Sequence, residues 1–147
     1  MSKINIKLVL KPKETNQHKT EQLLRLDSIC FPDDSPITVK DGWWWLLKDG
    51  PSIIGFAGLK IWRQIPTTGF LYRAGIIPRY QGCGLHKRLI KARIRFAKKL
   101  GMGRVATYTV SDNYPSMNAL VSQGFRFWQP YRRLEGREML YFLLDLS

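Results

Sequence analysis

A glycine-bearing turn near the middle of the chain has the composition of a phosphate-binding loop. Residues 74–86 read AGIIPRYQGCGLH, with an extended apolar run before Pro78 and a helical pattern from Gly84 onward. Glycines permit a tight turn and let a ligand approach the backbone. The first turn of the helix leaves N–H groups unpaired at the positive end of the helix dipole. The pattern therefore predicts a cradle for a pyrophosphate.

Two common phosphate loops do not fit this turn. No Gly-Lys-Ser or Gly-Lys-Thr follows it, as a nucleotide-hydrolysing P-loop requires. Gly82 and Gly84 are followed by Leu85, His86 and Lys87, so the third glycine of the dinucleotide-binding G-x-G-x-x-G fingerprint is missing. A purely structural turn has the same strand–glycine–helix order, and this alternative stays open for the motif alone.

A second motif lies in register with the first. Residues 76–86 read I-x-P-x-x-Q-G-x-G-x-H, and Asn113 and then Gly124-Phe125 follow downstream. This arrangement resembles the GNAT N-acetyltransferase family. That family carries V-x-P-x-x-Q/R-G-x-G-x-G/A at a strand–helix junction and, further on, an Asn and a helix that ends in Gly-Phe. The resemblance extends over nearly the whole chain, and the two motifs together are more specific than either alone.

The resemblance implies an enzyme that uses acetyl-coenzyme A as co-substrate and transfers the acetyl group to an amine by direct attack in a ternary complex. Backbone groups of Ala74 and Ile76, on a strand splayed from its neighbour, would pair with the pantetheine arm. An N–H at or near Ile76 would polarise the thioester carbonyl. Asn113 would contact the pantetheine or cap the next helix. The implied cofactor-binding residues of the loop are Gln81, Gly82, Cys83, Gly84, Leu85, His86 and Lys87.

Two positions depart from the family pattern. His86 stands where the family has Gly or Ala, so its side chain either lies exposed on the helix, away from the pyrophosphate, or donates to a phosphate when protonated. Leu120 stands where many members have a Tyr that protonates the departing thiolate, and leucine has no proton to donate. Water is one substitute acid. The hydroxyl candidates are Tyr108 and Ser111, with Tyr114 and Ser116 also near in sequence.

The general base is open as well. The strands expected to face the co-substrate, 70–77 and 104–110, contain no carboxylate. Asp112 follows one of them, and an early loop contains Asp33, Asp34 and Asp41, which could instead bind a cationic acceptor or only solubilise the loop. An amine that arrives neutral needs no strong base, and positioning of both reactants could supply most of the acceleration.

The formal net charge of +13 attracts anionic partners and disfavours a polycationic acceptor. The acceptor is expected to be a small-molecule, peptide or RNA-linked amine. The stripe Lys87, Lys91 and Arg95 could serve the 3′-phosphate of the cofactor. The five tryptophans, Trp43, Trp44, Trp45, Trp62 and Trp128, either line an acceptor pocket or belong to the core. Because successive strand residues alternate between the two faces, at least one of Trp43, Trp44 and Trp45 should belong to the core.

Two other functions stay open. Leu120 and the missing strand carboxylate are also compatible with a GNAT-like module that binds acyl-coenzyme A without catalysis. The charge is compatible with a nucleic-acid-binding protein, although the sequence contains no recognisable helix-turn-helix, zinc or RNA-reading motif.

The elements that must position these residues alternate strands with helices. Alternating or apolar runs predict strands at 3–11, 43–47, 52–61, 70–77, 104–110, 125–131 and 139–146, with turns at Asp49-Gly50 and 133–137. Helices are predicted after a cap at Thr15 or Asn16, over 84–100, and over 114–123. The first should pack through Leu23, Leu24, Leu26 and Ile29; the second through Leu85, Leu89, Ala92, Phe96 and Leu100.

This order predicts an α+β domain of the GNAT acyl-CoA N-acyltransferase fold, with a mixed, mostly antiparallel sheet of six to seven strands flanked by helices. The 147 residues fit a single domain over 1–147. We expect no membrane span, no signal peptide and no metal site. Because Cys30 and Cys83 form neither a metal-like spacing nor a disulfide framework, a reducing, cytoplasmic location is expected. A homodimer is a further expectation.

Overall fold

A computed structural model of the chain describes residues 3–62, 65, 67–130 and 139–146. The strands are β1 (Ile4–Leu10), β2 (Trp43–Asp49), β3 (Ser52–Ile61), β4 (Thr68–Ile76), β5 (Arg104–Val110), β6 (Arg126–Phe127) and β7 (Met139–Asp145). The helices are α1 (Gln17–Cys30), α2 (Leu85–Lys99) and α3 (Tyr114–Ser122), and a 3-10 turn at Pro78–Tyr80 precedes α2. None of the three described helices has the length and apolar character that a bilayer span requires.

The strands form one mixed sheet of seven strands in the order β1-β2-β3-β4-β5-β7-β6. All neighbouring strands are antiparallel except β4 and β5, which are parallel and connected through α2. The predicted hairpin connects β2 and β3, with Gly50 at φ 57°. The α+β prediction of a mostly antiparallel sheet flanked by helices is thereby confirmed.

The strand predicted at 125–131 is wrong in length. β6 contains only Arg126 and Phe127, because Phe125 turns inward and is buried against α2 and α3. β7 pairs with β5 along its whole length, from Arg104 opposite Asp145 to Val110 opposite Met139. β6 pairs with the other side of β7 and is therefore the edge strand of the sheet. The turn predicted at 133–137 lies outside the described residues.

The side chains of the sheet alternate between two packed faces. Trp44 is fully buried against the face covered by α1, whereas its neighbour Trp45 packs on the opposite face with Ile90 of α2. Trp62 is also buried, and Trp128 packs beside it. The prediction that at least one tryptophan of the triplet is core is confirmed.

Helix α1 begins where the sequence predicts and packs through fewer residues than expected. The Asn16 side chain accepts a hydrogen bond from the Lys19 N–H at 3.0 Å, so Asn16, rather than Thr15, is the N-cap. Leu23 and Leu26 are buried, but Leu24 and Ile29 are exposed. The predicted stripe was too wide, because α1 contacts one face of the sheet with only a narrow strip.

Helix α2 covers the other face of the sheet along a stripe of i, i+4 positions. Its buried residues are Leu85, Leu89, Ile90, Arg93 and Ala97. The predicted contact at Leu100 is wrong, since this side chain is 45% exposed and follows the last helical residue. Arg93 is a buried, charged residue within this otherwise apolar stripe.

Candidate active site

The central feature of the fold is a gap between β4 and β5. Their parallel ladder has only three residue pairs, which end at Phe70 opposite Ala106. One residue further along both strands, a side chain bridges them: the Thr107 hydroxyl donates to the Leu71 carbonyl at 3.0 Å. Beyond this bridge the two strands separate into a groove of about 720 Å³. A splayed strand is what the resemblance implied for the pantetheine arm.

A β-bulge in β4 coincides with this separation. Ala57 of β3 faces Ala74, but the next residue, Gly58, faces Tyr72, so Arg73 is the extra residue on β4. A bulge bends its strand and increases the local twist. The bulge therefore accounts for the direction in which β4 leaves β5.

The guanidinium of Arg93 supports the bulge from α2. Its Nη1 donates to the Gly58 carbonyl at 3.0 Å and to the Tyr72 carbonyl at 3.1 Å, while Nε donates to Leu89 of its own helix. The side chain is 2% exposed and lies along the groove. Burial lowers the pKa of Arg93 to about 9, so the guanidinium remains positive at neutral pH. The sequence alone does not reveal this position, since an arginine in an amphipathic helix is normally assigned to the solvent face.

Arg73 itself is held by a buried ion pair. Its Nη1 donates to Asp27 Oδ1 and to the Ser35 carbonyl, each at 2.9 Å. The other oxygen of Asp27 accepts from the Ile37 N–H at 3.1 Å, and Asp27 is 3% exposed. Together these contacts connect α1 and the loop after it to the bulge. Arg73 and Asp27 are separated by 46 residues in the chain, so the sequence alone does not predict that they pair.

The peptide groups of Ala74 and Ile76 face the groove. The Ile77 N–H donates to the Ile54 carbonyl of β3 at 2.9 Å, so the peptide groups of alternate residues point to the opposite side. The Gln81 side chain confirms this direction, since its Nε2 donates to the Ile76 carbonyl at 2.9 Å from the turn below. Gln81 thus contacts the strand that borders the groove.

The glycine turn forms one end of the groove. Gly82 and Gly84 have φ values of 80° and 77°, and an added Cβ would meet nothing within 4 Å at either position. The requirement for glycine is therefore conformational. Gly84 is the N-cap of α2, whose first turn borders the groove. The groove-lining residues of this segment are Gln81, Gly82, Gly84, Leu85, His86 and Lys87.

Some expected residues lie outside the groove. Cys83 is exposed and does not line it, and neither does Ser111. Lys91 and Arg95 border a different, shallow depression, so within the stripe only Lys87 reaches the groove. The aspartates Asp33, Asp34, Asp41 and Asp112 are exposed and likewise do not line it. Among the described groove-lining residues there is no carboxylate, and in the described ranges no group of His, Cys, Asp and Glu could hold a metal ion.

Comparison with known proteins assigns the family. The model of the Acetyltransferase (GNAT) family matches residues 11–125 of the chain. The chain belongs to the GNAT family.

Curated relatives of this GNAT chain include two mycothiol acetyltransferases. The protein from Pseudarthrobacter chlorophenolicus is 34% identical over 82 residues, which is 54% of this chain and 25% of the relative. The protein from Actinosynnema mirum is 32% identical over 112 residues, or 76% of this chain and 37% of the relative. The chain thus spans about a quarter to a third of the length of these relatives.

Solved structures share the fold along the whole chain. An IAA acetyltransferase from Bacillus cereus has a TM-score of 0.75 at 22% identity and covers 98% of this chain and 100% of its own. The ribosomal-protein-S18-alanine N-acetyltransferase from Escherichia coli has a TM-score of 0.76 at 16% identity, with 99% and 95% covered. A Bacillus subtilis acetyltransferase in complex with CoA reaches 0.75 at 22% identity, with 99% and 100% covered.

The first departure from the GNAT motif, His86, is a half-buried residue of the groove wall rather than an exposed helix residue. Burial, and next the positive charge of Arg93, lower the pKa of His86 to about 4. The imidazole is therefore neutral at neutral pH, and the expectation of a protonated donor does not hold for the free protein.

The second departure, Leu120, lies in the opposite wall of the groove on α3 and is 4% exposed. Asn113 caps the same helix, since its Oδ1 accepts from the Ser116 N–H at 3.2 Å, and it also borders the groove. Tyr108 lines the groove from β5, with its ring stacked on Phe70 at 5.4 Å. Of the four hydroxyl-bearing candidates for the missing acid, Tyr108 and Ser116 line the groove, whereas Ser111 and Tyr114 do not.

Proposed function

We propose that this GNAT chain transfers an acetyl group from acetyl-coenzyme A to a small-molecule amine. The observation that carries the proposal is the groove between the separated strands β4 and β5, which ends on the glycine turn and the first turn of α2. The relatives in the comparison are mycothiol acetyltransferases, which supports acetyl transfer as the reaction. The B. subtilis complex with CoA supports coenzyme A as the carrier.

The groove offers backbone groups to each part of the carrier. We expect the peptide groups of Ala74 and Ile76 to pair with the pantetheine amides, as an added strand would. The N–H groups between Gly82 and Lys87 lie at the positive end of the α2 dipole, which would stabilise a pyrophosphate. Asn113 borders the groove from the far wall and caps α3, and we expect it to contact the pantetheine as well.

The reaction is a direct displacement at the thioester. The neutral amine nitrogen attacks the carbonyl carbon, and a backbone N–H near Ile76 stabilises the charge that develops on oxygen. The C–S bond then breaks, the nitrogen loses a proton and the sulfur gains one. Because Leu120 cannot donate, Tyr108 is our candidate for the donor to sulfur.

Isothermal titration with acetyl-coenzyme A, followed by mass spectrometry of a lysate supplied with labelled acetyl-coenzyme A, tests the proposal. We expect saturable binding of one molecule per chain and transfer of the label to a small amine. Absence of binding at high concentration would contradict the proposed function. Binding without transfer to any amine would instead favour a catalytically degenerate module.

Several finer expectations stay predictions. A peptide or RNA-linked acceptor, an anionic partner, a homodimer, a cytoplasmic location and a single domain over 1–147 each require separate measurement. The comparisons do not favour the two alternatives that the sequence left open, the module without catalysis and the nucleic-acid-binding protein.

A further inference from the structure

We propose that the acceptor is an aromatic amine that is uncharged at neutral pH, such as an aniline. This inference rests on the proposed acetyl transfer and specifies the substrate class of the same groove. Three features of the described residues support it: aromatic walls on one side of the sheet, the absence of any carboxylate in the lining, and protein cations that already contact two of the rings.

The groove passes through the sheet and opens between aromatic side chains on the face of α1. Phe70 and Tyr72 lie two residues apart on β4, on the face opposite Leu71, which packs with α2. The ring of Phe70 is 5.4 Å from that of Tyr108 and 6.0 Å from that of Tyr72. Phe31 and Met139 complete this side. Such walls bind a flat ring by stacking or edge contacts.

The charges around the groove disfavour an ammonium group. Its described lining includes the cationic side chains of Arg73, Lys87 and Arg93 but no Asp or Glu. Asp27, the buried carboxylate among the described residues, already accepts hydrogen bonds from Arg73 and from the backbone. A cationic acceptor would be desolvated without a counter-charge and next to like charges, which costs free energy.

Two of these rings, those of Tyr72 and Phe31, already contact protein cations and are less available to a cationic acceptor. The Lys60 ammonium lies 3.9 Å from the centroid of the Tyr72 ring, and the Arg73 guanidinium lies 5.0 Å from that of Phe31. A second cation on the same rings would meet these charges at short range. The aromatic side therefore selects a neutral ring rather than an alkylammonium.

An aromatic amine also removes the need for a general base. Delocalisation of its lone pair into the ring lowers the basicity of the nitrogen, which is therefore unprotonated at neutral pH and can attack without prior deprotonation. When it attacks the thioester carbon, the N–C bond forms and the C–S bond breaks. The proton that the acylated nitrogen releases passes to solvent, and the sulfur gains one, which gives the amide and the free thiol. No residue of the groove has to deprotonate an ammonium ion first.

Initial rates with paired acceptors of equal size test the proposal. We expect kcat/KM for aniline to exceed that for cyclohexylamine by at least about tenfold near neutral pH, since only on the order of a thousandth of an alkylamine is then neutral. The rate with aniline should also change little between weakly acidic and weakly basic pH. A preference for cyclohexylamine, spermidine or a peptide N-terminus would overturn the inference while leaving acetyl transfer intact.

A matched pair of variants tests the aromatic wall itself. Phe70→Leu should raise KM for aniline by about tenfold because a stacking partner is lost, whereas Phe127→Leu, an exposed ring on β6, should leave it unchanged. Calorimetry with acetyl-coenzyme A separates the two proposals. If acetyl-coenzyme A binds normally and Phe70→Leu leaves KM for aniline unchanged, only the aromatic acceptor is overturned. If acetyl-coenzyme A does not bind the unaltered protein, the proposed function is overturned as well.

Discussion

At the scale of single residues, the groove departs from the family pattern at two positions, and neither side chain is expected to donate a proton at neutral pH. Leu120 supplies no proton, and His86 is neutral because it is half-buried beside Arg93. The chemistry that we propose therefore relies on backbone N–H groups and on Tyr108. This arrangement suits a reaction in which geometry contributes more than acid–base catalysis.

Removal of the Tyr108 hydroxyl should lower the turnover rate. Tyr108→Phe keeps the ring on Phe70 but removes the donor to sulfur, so we expect kcat to fall by at least about tenfold while KM for acetyl-coenzyme A stays unchanged. Ser111→Ala is the matched control, since this hydroxyl does not line the groove. Equal kcat values for Tyr108→Phe and the unaltered enzyme would mean that the thiolate takes its proton from water or from another residue, such as Ser116.

The neutral state of His86 should appear in the dependence of stability on pH. The pKa of His86 is about 4 in the folded chain and about 6.5 in the unfolded chain. Between these two pH values the unfolded chain binds a proton at His86 and the folded chain does not. The stabilisation is complete above about pH 6.5 and is lost as pH falls toward about 4. Urea unfolding across this window should show a loss of roughly 1–3 kcal/mol that His86→Gln reduces. The same loss in His86→Gln would exclude His86 as its source.

At the scale of elements, the groove depends on the bulge in β4 and on the turn before α2. The bulge is held from one side by Arg93 and from the other by the Arg73–Asp27 pair. The turn is held by the Tyr80 hydroxyl, which donates to Asp49 at the end of β2 at 2.6 Å. These contacts hold β4, which forms one wall of the groove, and the turn, which forms one end of it.

Loss of the Arg93 guanidinium should destabilise the fold and loosen the groove. Arg93→Met leaves the carbonyls of Gly58 and Tyr72 buried without their donor, which costs roughly 1–3 kcal/mol in the free energy of unfolding. KM for acetyl-coenzyme A should rise in parallel. Arg95→Met, an exposed neighbour on the same helix, should change stability by less than about 0.5 kcal/mol. Equal stability of the two variants in urea unfolding would refute the structural role of Arg93.

The conformation of Gly84 provides a prediction for the turn. A β-branched residue at φ 77° is strained by roughly 1–2 kcal/mol, so Gly84→Val should distort the first turn of α2 and weaken acetyl-coenzyme A binding by at least about tenfold. Gly101→Val carries the same strain at φ 81°, just beyond the other end of α2. Calorimetry should therefore show weakened binding only for Gly84→Val, and comparable binding by both variants would place the pyrophosphate elsewhere.

At the scale of the whole molecule, the sequence predicted what depends on local pattern. The strands from Trp43 to Val110, the Asn16 cap and the glycine turn follow from alternation, capping and conformational preference, and the family motifs predict that the turn is part of a ligand site. Contacts between distant segments were not predictable in this way. The Arg73–Asp27 pair and the place of Arg93 beneath the bulge depend on how the strands register, and no local rule reports that register.

The charge of the molecule follows the same division. The net charge of +13 indicated an anionic partner, and the groove has Lys87 and the α2 dipole at the end where a pyrophosphate would bind. Three other positive residues of α2, Lys91, Arg95 and Lys98, border a separate depression. The basic surface as a whole is therefore not explained by the groove.

The most direct test of this account is a crystal structure of the chain with acetyl-coenzyme A. We predict a pyrophosphate within hydrogen-bond distance of the N–H groups between Gly82 and Lys87, and pantetheine amides paired with the backbone of Ala74 and Ile76. The thioester should lie between the mouth lined by Tyr108 and the wall formed by Leu120. A carrier bound outside the gap between β4 and β5, or a groove that stays empty at saturating carrier, would contradict the account.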